Sequence, residues 1–109
     1  MAAVKFRVNG GKCAFISVYV PQSGIDYDYR QYFFPRLQQF YSSISVNGGI
    51  FICGDFNARL RKSFPGEEDI IGDYIFQGID MDPPLKANRY LLSEFCHCIP
   101  NSIANSFFP

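Results

Sequence analysis

Ile50-Phe51-Ile52-Cys53-Gly54-Asp55-Phe56-Asn57-Ala58-Arg59 is the stretch on which the reading of this 109-residue chain turns. Its opening run is apolar, β-branched and aromatic, the composition of a buried strand. The run breaks at Gly54, and a carboxylate and a carboxamide follow two residues apart. If the chain stays extended, Asp55 and Asn57 project to the same side. An acceptor and an amide then face one point at the strand's end. Strand ends and the loops after them are where rigid scaffolds carry chemistry. Gly-Asp-Phe-Asn is also good turn chemistry, so a structural role stands beside the functional one.

A second polar break lies upstream. Val18-Tyr19-Val20-Pro21-Gln22-Ser23-Gly24 ends the apolar run Ala14-Phe15-Ile16-Ser17-Val18. Between the two runs, Arg30 to Ser45 carries Phe33, Leu37, Phe40 and Ile44 at helical spacing. Pro35 either sits in the first turn of a helix that starts near Phe34 or kinks a longer one. Asn47-Gly48-Gly49 reads as the helix stop. Strand, helix and strand in that order make a βαβ unit with parallel strands and a right-handed crossover. Tyr19 and Asp55 then share one rim of the sheet, where ligands of such sheets bind.

The rest of the chain extends this plan. Val4 to Val8 alternates apolar residues with Lys5 and Arg7, the pattern of a half-exposed strand. Asn9-Gly10-Gly11-Lys12 is a hairpin turn into a strand at Cys13. Antiparallel pairing here and parallel pairing further on give an α/β fold with a mixed sheet. Ser63 to Leu85, punctuated by Pro65, Gly66, Gly72, Gly78, Pro83 and Pro84, reads as one long loop. Its acidic run Glu67-Glu68-Asp69 reads as a solvated loop, with a cation site as the alternative. No linker divides the chain.

Composition narrows the function. Ten basic and ten acidic residues leave no net charge, and the pI is about 6.5. The basic stripe that marks many nucleic-acid binders is not evident. The small cluster Arg59-Leu60-Arg61-Lys62 is either a DNA-backbone contact or a solvated loop. Cys13 and Cys53 belong to apolar strands, where a free thiol behaves as a small hydrophobe. Cys96 and Cys98 flank His97, the only histidine, without the paired spacings of a zinc site. Disulfides and metal ligation are both rejected, and a reduced intracellular compartment, nuclear or cytoplasmic, is expected. The opening residues are too short an apolar run for a signal peptide or membrane span. Twelve Phe and seven Tyr are a heavy aromatic load for this length. Some of it is expected at the surface, giving poor solubility or association through exposed apolar area.

Val18-Tyr19-Val20-Pro21 followed by Ile52-Cys53-Gly54-Asp55-Phe56-Asn57-Ala58-Arg59 resembles the endonuclease/exonuclease/phosphatase family. The resemblance is closest to the abasic-endonuclease-like domains of non-LTR retrotransposons. It takes in Ala87 to Cys96, similar to a helix of that group, and Ile103 to Phe108, similar to the strand that follows it. The resemblance implies a DNase I-like mixed-sheet α/β sandwich, of which residues 1–109 would form the central portion with its βαβ unit. By the same resemblance Asp55 would orient or deprotonate the attacking water, Asn57 would hold a phosphate oxygen, and Tyr19 would set its phenol against that phosphate. These are general-base and electrostatic roles in phosphoryl transfer. Gln22 and Arg59 would be substrate contacts and DNA the partner. Mg²⁺ is the implied cofactor, but relatives bind it through a Glu on an upstream strand. They also use a downstream Ser-Asp-His, and neither motif occurs here. The expectation is an inactive or nearly inactive piece of a Mg²⁺-dependent DNA endonuclease domain. A phosphatase branch of the same family and a small non-catalytic α/β binding module are the alternatives.

Overall fold

The computed structural model describes residues 1–60, 63–75 and 86–108. It is a small mixed α/β chain built on a three-stranded mixed sheet. Its residues gather into two units, Met1–Asn57 and Ala58–Pro109.

The first unit holds the sheet. Strand β1 (Ala2–Val8) pairs antiparallel with β2 (Gly11–Tyr19), and β2 pairs parallel with β3 (Ile50–Asp55). Asn9 and Gly10 connect β1 to β2 with φ of 48° and 82°. Two consecutive positive φ values make the tight hairpin turn whose twist matches its strands. Helices α1 (Tyr27–Arg30) and α2 (Phe33–Ser43) lie between β2 and β3. Pro35 falls in the first turn of α2, where its missing N–H costs no helical bond. The buried apolar residues of the unit are Ala14, Ile16, Val18 and Val20, with Phe34 and Leu37 of α2. The helix thus buries Phe34 and Leu37, while Phe33, Phe40 and Ile44 are only half-buried. Just ahead of α2, Arg30 is buried in α1, where its Nε donates to the Ile25 carbonyl at 2.8 Å.

Asn47-Gly48-Gly49 does something other than stop the helix, which ends at Ser43. The Asn47 Oδ1 accepts the Lys12 N–H at 2.7 Å, and the Gly48 N–H donates to the Lys12 carbonyl at 2.8 Å. A Cβ on Gly48 would lie 2.7 Å from the Cys13 sulfur and 2.8 Å from that carbonyl. Only glycine permits so close an approach. The segment is a clamp that sets β3 beside the start of β2.

In the second unit, helix α3 (Asn88–Cys98) buries Leu91, Leu92, Phe95 and Cys96 together with Ile70, Ile71 and Ile99. The segment 63–75 has no strand, yet it is anchored throughout. Ile103 donates its N–H to Ile70 O, Tyr74 to Ser106 O, and Gly72 to the Ser106 hydroxyl. The expected strand at Asn105-Ser106 is a 3-10 turn over Ala104–Ser106. The Ser106 and Phe107 N–H groups bond back three residues, to Ile103 O and Ala104 O, which curls the chain.

The acidic run is not a solvated loop at its first residue. Glu67 is 6% exposed and forms an ion pair with Arg89, which is 1% exposed, at 2.7 Å. The guanidinium is bidentate, with its second bond at 3.1 Å. The same carboxylate accepts the Phe64 N–H at 2.8 Å and the Ser93 hydroxyl. Burial alone would push this carboxyl up, but the bonds from Arg89, Ser93 and Phe64 and the Arg89 charge outweigh it and hold it below its usual value. Arg89 also lies 4.3 Å from the centre of the Phe64 ring, a cation–π contact. Glu68 and Asp69 remain exposed, as expected of the rest of the run. His97, on the exposed side of α3, sets Nδ1 2.8 Å from the Ser93 carbonyl and Nε2 3.2 Å from the Gly66 carbonyl.

Candidate functional site

The end of the parallel strand pair is built by backbone. Tyr19 and Asp55 are register partners, the last residues of β2 and β3. Val20 donates its N–H to the Asp55 carbonyl at 2.9 Å, which carries the ladder one step past the strands. Gly54 makes this closure possible. Its φ is 147°, and a Cβ there would overlap the Val18 carbonyl oxygen. The break at Gly54 is thus a requirement of strand packing as well as a turn signal. Tyr19 and Asp55 are exposed on the same side of the sheet.

Asn57 reaches this rim by a different route from the one its spacing suggests. The strand ends at Asp55, and Asn57 adopts φ of 46°, in the left-handed region that Asn tolerates better than most residues. Its N–H donates to Asp55 Oδ1 at 2.9 Å, an Asx turn, and its Nδ2 donates to the Val20 carbonyl at 2.6 Å. The carboxylate and the carboxamide are adjacent, as expected, but a turn and not an extended strand brings them together. The amide of Asn57 braces the end of β2 against the turn after β3. That bracing role could not be read from i, i+2 spacing.

Of the other candidates, Gln22 is exposed in the loop after β2, where its carbonyl accepts the Ile25 N–H at 2.9 Å. Arg59 is exposed and belongs to the second unit. Arg61 and Lys62 lie outside the described residues, as do residues 76–85 of the long loop.

The donor set bears on the implied metal. Asp55 is the carboxylate that ends β3, and among the described residues no group of three or more His, Cys, Asp or Glu could hold a metal ion. Mg²⁺ asks for octahedral oxygen ligation, from carboxylates helped by water and substrate phosphates. One carboxylate with an oxygen already engaged by Asn57 does not fit a dedicated site. The four cysteines are free thiols, and burial raises the Cys96 thiol to about 11. Among the described residues no helix is long and apolar enough to cross a membrane.

What remains is an exposed phenol and an exposed carboxylate on one rim, with a braced carboxamide beside them. A carboxylate has about four lone-pair sites, so Asp55 can accept a proton from water or from a ligand hydroxyl. The phenol and the amide are suited to donate to an anionic oxygen. No family model, curated protein or solved structure matches this chain.

Proposed function

We propose that the Tyr19–Asp55–Asn57 rim is the phosphodiester-facing site of an endonuclease/exonuclease/phosphatase-type domain of DNase I-like architecture, nearest in its motifs to retrotransposon endonucleases. DNA is the proposed substrate and Mg²⁺ the proposed cofactor of the whole domain. One observation carries the reading. Register pairing of Tyr19 with Asp55 sets a phenol and a carboxylate on one side at the carboxyl end of two parallel strands, where sheets of this kind bind ligands. In this reading Asp55 accepts the proton of the attacking water, while Tyr19 and Asn57 donate to phosphate oxygens as their charge grows. Turnover by these residues alone is negligible, because phosphodiester cleavage rests on charge placement that one carboxylate does not supply.

A second reading has its own observation. The Asn57 amide is used to brace the Val20 carbonyl, so Gly-Asp-Phe-Asn is the strand-end turn of a small α/β binding module.

Two measurements separate these readings. The chain and its Asp55→Ala variant are incubated with supercoiled plasmid and Mg²⁺, and both are expected to nick negligibly. Nicking by the natural chain that vanishes in the variant would overturn the inactivity. A short DNA duplex is then titrated into labelled protein with Mg²⁺, and the amide signals of Tyr19, Val20 and Asn57 are expected to shift. Unmoved signals would sink the phosphodiester reading and leave the turn.

A further inference from the structure

The same tetrapeptide occurs twice in this chain, as Val8-Asn9-Gly10-Gly11 and as Val46-Asn47-Gly48-Gly49. An asparagine before a glycine is open to attack by the glycine's backbone nitrogen on its carboxamide carbon, because no Cβ obstructs the approach. Whatever reactivity the tetrapeptide confers is equal at the two places, so the fold must separate them. Asn9 and Gly10 are exposed at the tip of the β1–β2 hairpin. A Cβ on Gly10 would meet nothing within 4 Å, and among the described residues nothing accepts the Gly10 N–H. Strand β1, which must yield for the turn to flex, is exposed at every residue except Phe6. At Asn47-Gly48 the same two groups are engaged. The Asn47 carboxamide oxygen accepts the Lys12 N–H at 2.7 Å, and the Gly48 N–H donates to the Lys12 carbonyl at 2.8 Å. Gly48 is also pressed against the Cys13 sulfur, which leaves its backbone no room to turn.

We propose that Asn9 is a self-modifying site, converted by its own backbone to isoaspartate and aspartate, while the fold protects Asn47. The Gly10 nitrogen loses its proton to solvent and bonds to the Asn9 Cγ. The side-chain nitrogen takes up a proton and leaves as ammonia, which closes a cyclic imide. Water then opens the ring. Attack at Cγ restores the normal peptide link and gives aspartate. Attack at the main-chain carbonyl breaks that link instead and gives isoaspartate, with the chain routed through the side chain. At Asn47 two hydrogen bonds of ordinary net strength must first be given up, which slows the reaction roughly tenfold or more. The two products differ in their effect on the hairpin. Isoaspartate adds a methylene to the main chain, and a two-residue turn has no slack for it, so the Val8–Gly11 pairing is lost. Aspartate keeps the turn, since Asp-Gly favours it as Asn-Gly does. Either product gives a chain of zero net charge a negative one.

Ageing the full chain at mildly alkaline pH, followed by digestion and peptide mapping by mass spectrometry, tests this. Conversion is expected at Asn9, with isoaspartate and aspartate both present, and roughly tenfold or more slowly at Asn47. In concentrated denaturant the two sites should convert at similar rates, because their tetrapeptides are identical. A native Asn47 that keeps pace with Asn9 overturns the proposal. So does an Asn9 that stays intact in the native chain while the denatured chain converts. The aged isoaspartate form, separated by ion exchange, is then compared with Asn9→Asp. Hydrogen exchange at Val8 and Gly11 should quicken only in the isoaspartate form, and equal protection in both would overturn the loss of pairing.

Discussion

The two units of this chain are ordered by different means. Met1–Asn57 is organised by backbone ladders: a hairpin, a parallel pair, and close approaches at Gly48 and Gly54 where no side chain fits. Its side chains cover one face of the sheet and leave the other bare. Ala58–Pro109 has no strand among its described residues and one helix longer than a single turn. There a buried carboxylate gathers the backbone of Phe64, the guanidinium of Arg89 and the hydroxyl of Ser93. In the first unit a glycine is the residue that cannot change, because backbone meets backbone. In the second it is a charged side chain, because the loop has no ladder of its own.

That contrast can be broken or sharpened by substitution. The largest effect is expected from Gly54→Ala. Its Cβ would occupy the Val18 carbonyl position at φ of 147°, and the strand pair must separate to admit it. A loss of about 4 kcal/mol or more is expected, at the diagnostic end for a single substitution. Hydrogen exchange should show the β2 amides losing protection while those of α3 keep theirs. Equal loss in both units would show that they do not unfold separately.

Glu67→Ala is the mirror experiment. It leaves the Arg89 charge buried without its carboxylate, at a cost of about 3 kcal/mol. Exchange should now accelerate in α3 and around residues 66–72, with the β1–β2 ladder unaffected. The double change Glu67→Met with Arg89→Met should recover most of the loss, because well-packed apolar residues can replace a buried pair. Failure of that rescue would mean that the bonds from Phe64 and Ser93, and not the ion pair, hold the loop.

The smallest effect is expected at His97. Both ring nitrogens face carbonyl oxygens, which only accept, so both bonds form only when the imidazole is protonated. The Ser93 carbonyl and then the Gly66 carbonyl raise the group above its ordinary 6.5. A raised value means that the folded state holds the proton more tightly. Its stabilisation is complete below the unfolded value and is lost as pH rises through the folded one. Thermal unfolding of the second unit should therefore fall slightly as pH rises through neutrality, and His97→Gln should flatten that dependence. An unchanged slope in the variant would assign the effect elsewhere.

Periodicity and turn chemistry made much of this architecture legible. The β2 and β3 strands, the hairpin at Asn9-Gly10, the helix after Tyr32 and the mixed sheet all follow from local pattern, but β3, read as a buried strand, has no buried residue. The meeting of Tyr19 and Asp55 follows from parallel pairing. Non-local requirements were not legible. Gly48 looked like a helix stop because its true partner, Lys12, is distant in sequence. Asn57 looked extended because spacing alone does not reveal a left-handed turn braced on Val20. Glu67 looked solvated because its run is acidic, and Arg89 lies beyond the long loop. The alternation of β1 showed that it had an apolar side, but not that this side would face outward. The candidate site was visible as residue types at a strand end, while its bracing hydrogen bonds required the fold.

The position of β2 at the centre of the sheet bears on the order of folding during synthesis. Its partner β1 is one two-residue turn away, and such hairpins close within microseconds. The other partner must travel further: Ala14 pairs with Ile50 only after both helices have been made. From the emergence of Tyr19 until that of Asp55, the nascent chain presents an open edge on β2. The Asn47-Gly48 clamp on Lys12 then acts as a docking point at the near end of β3. It fixes the strand at Ile50 before the residues of the rim, Asp55 and Asn57, have emerged to close against Val20.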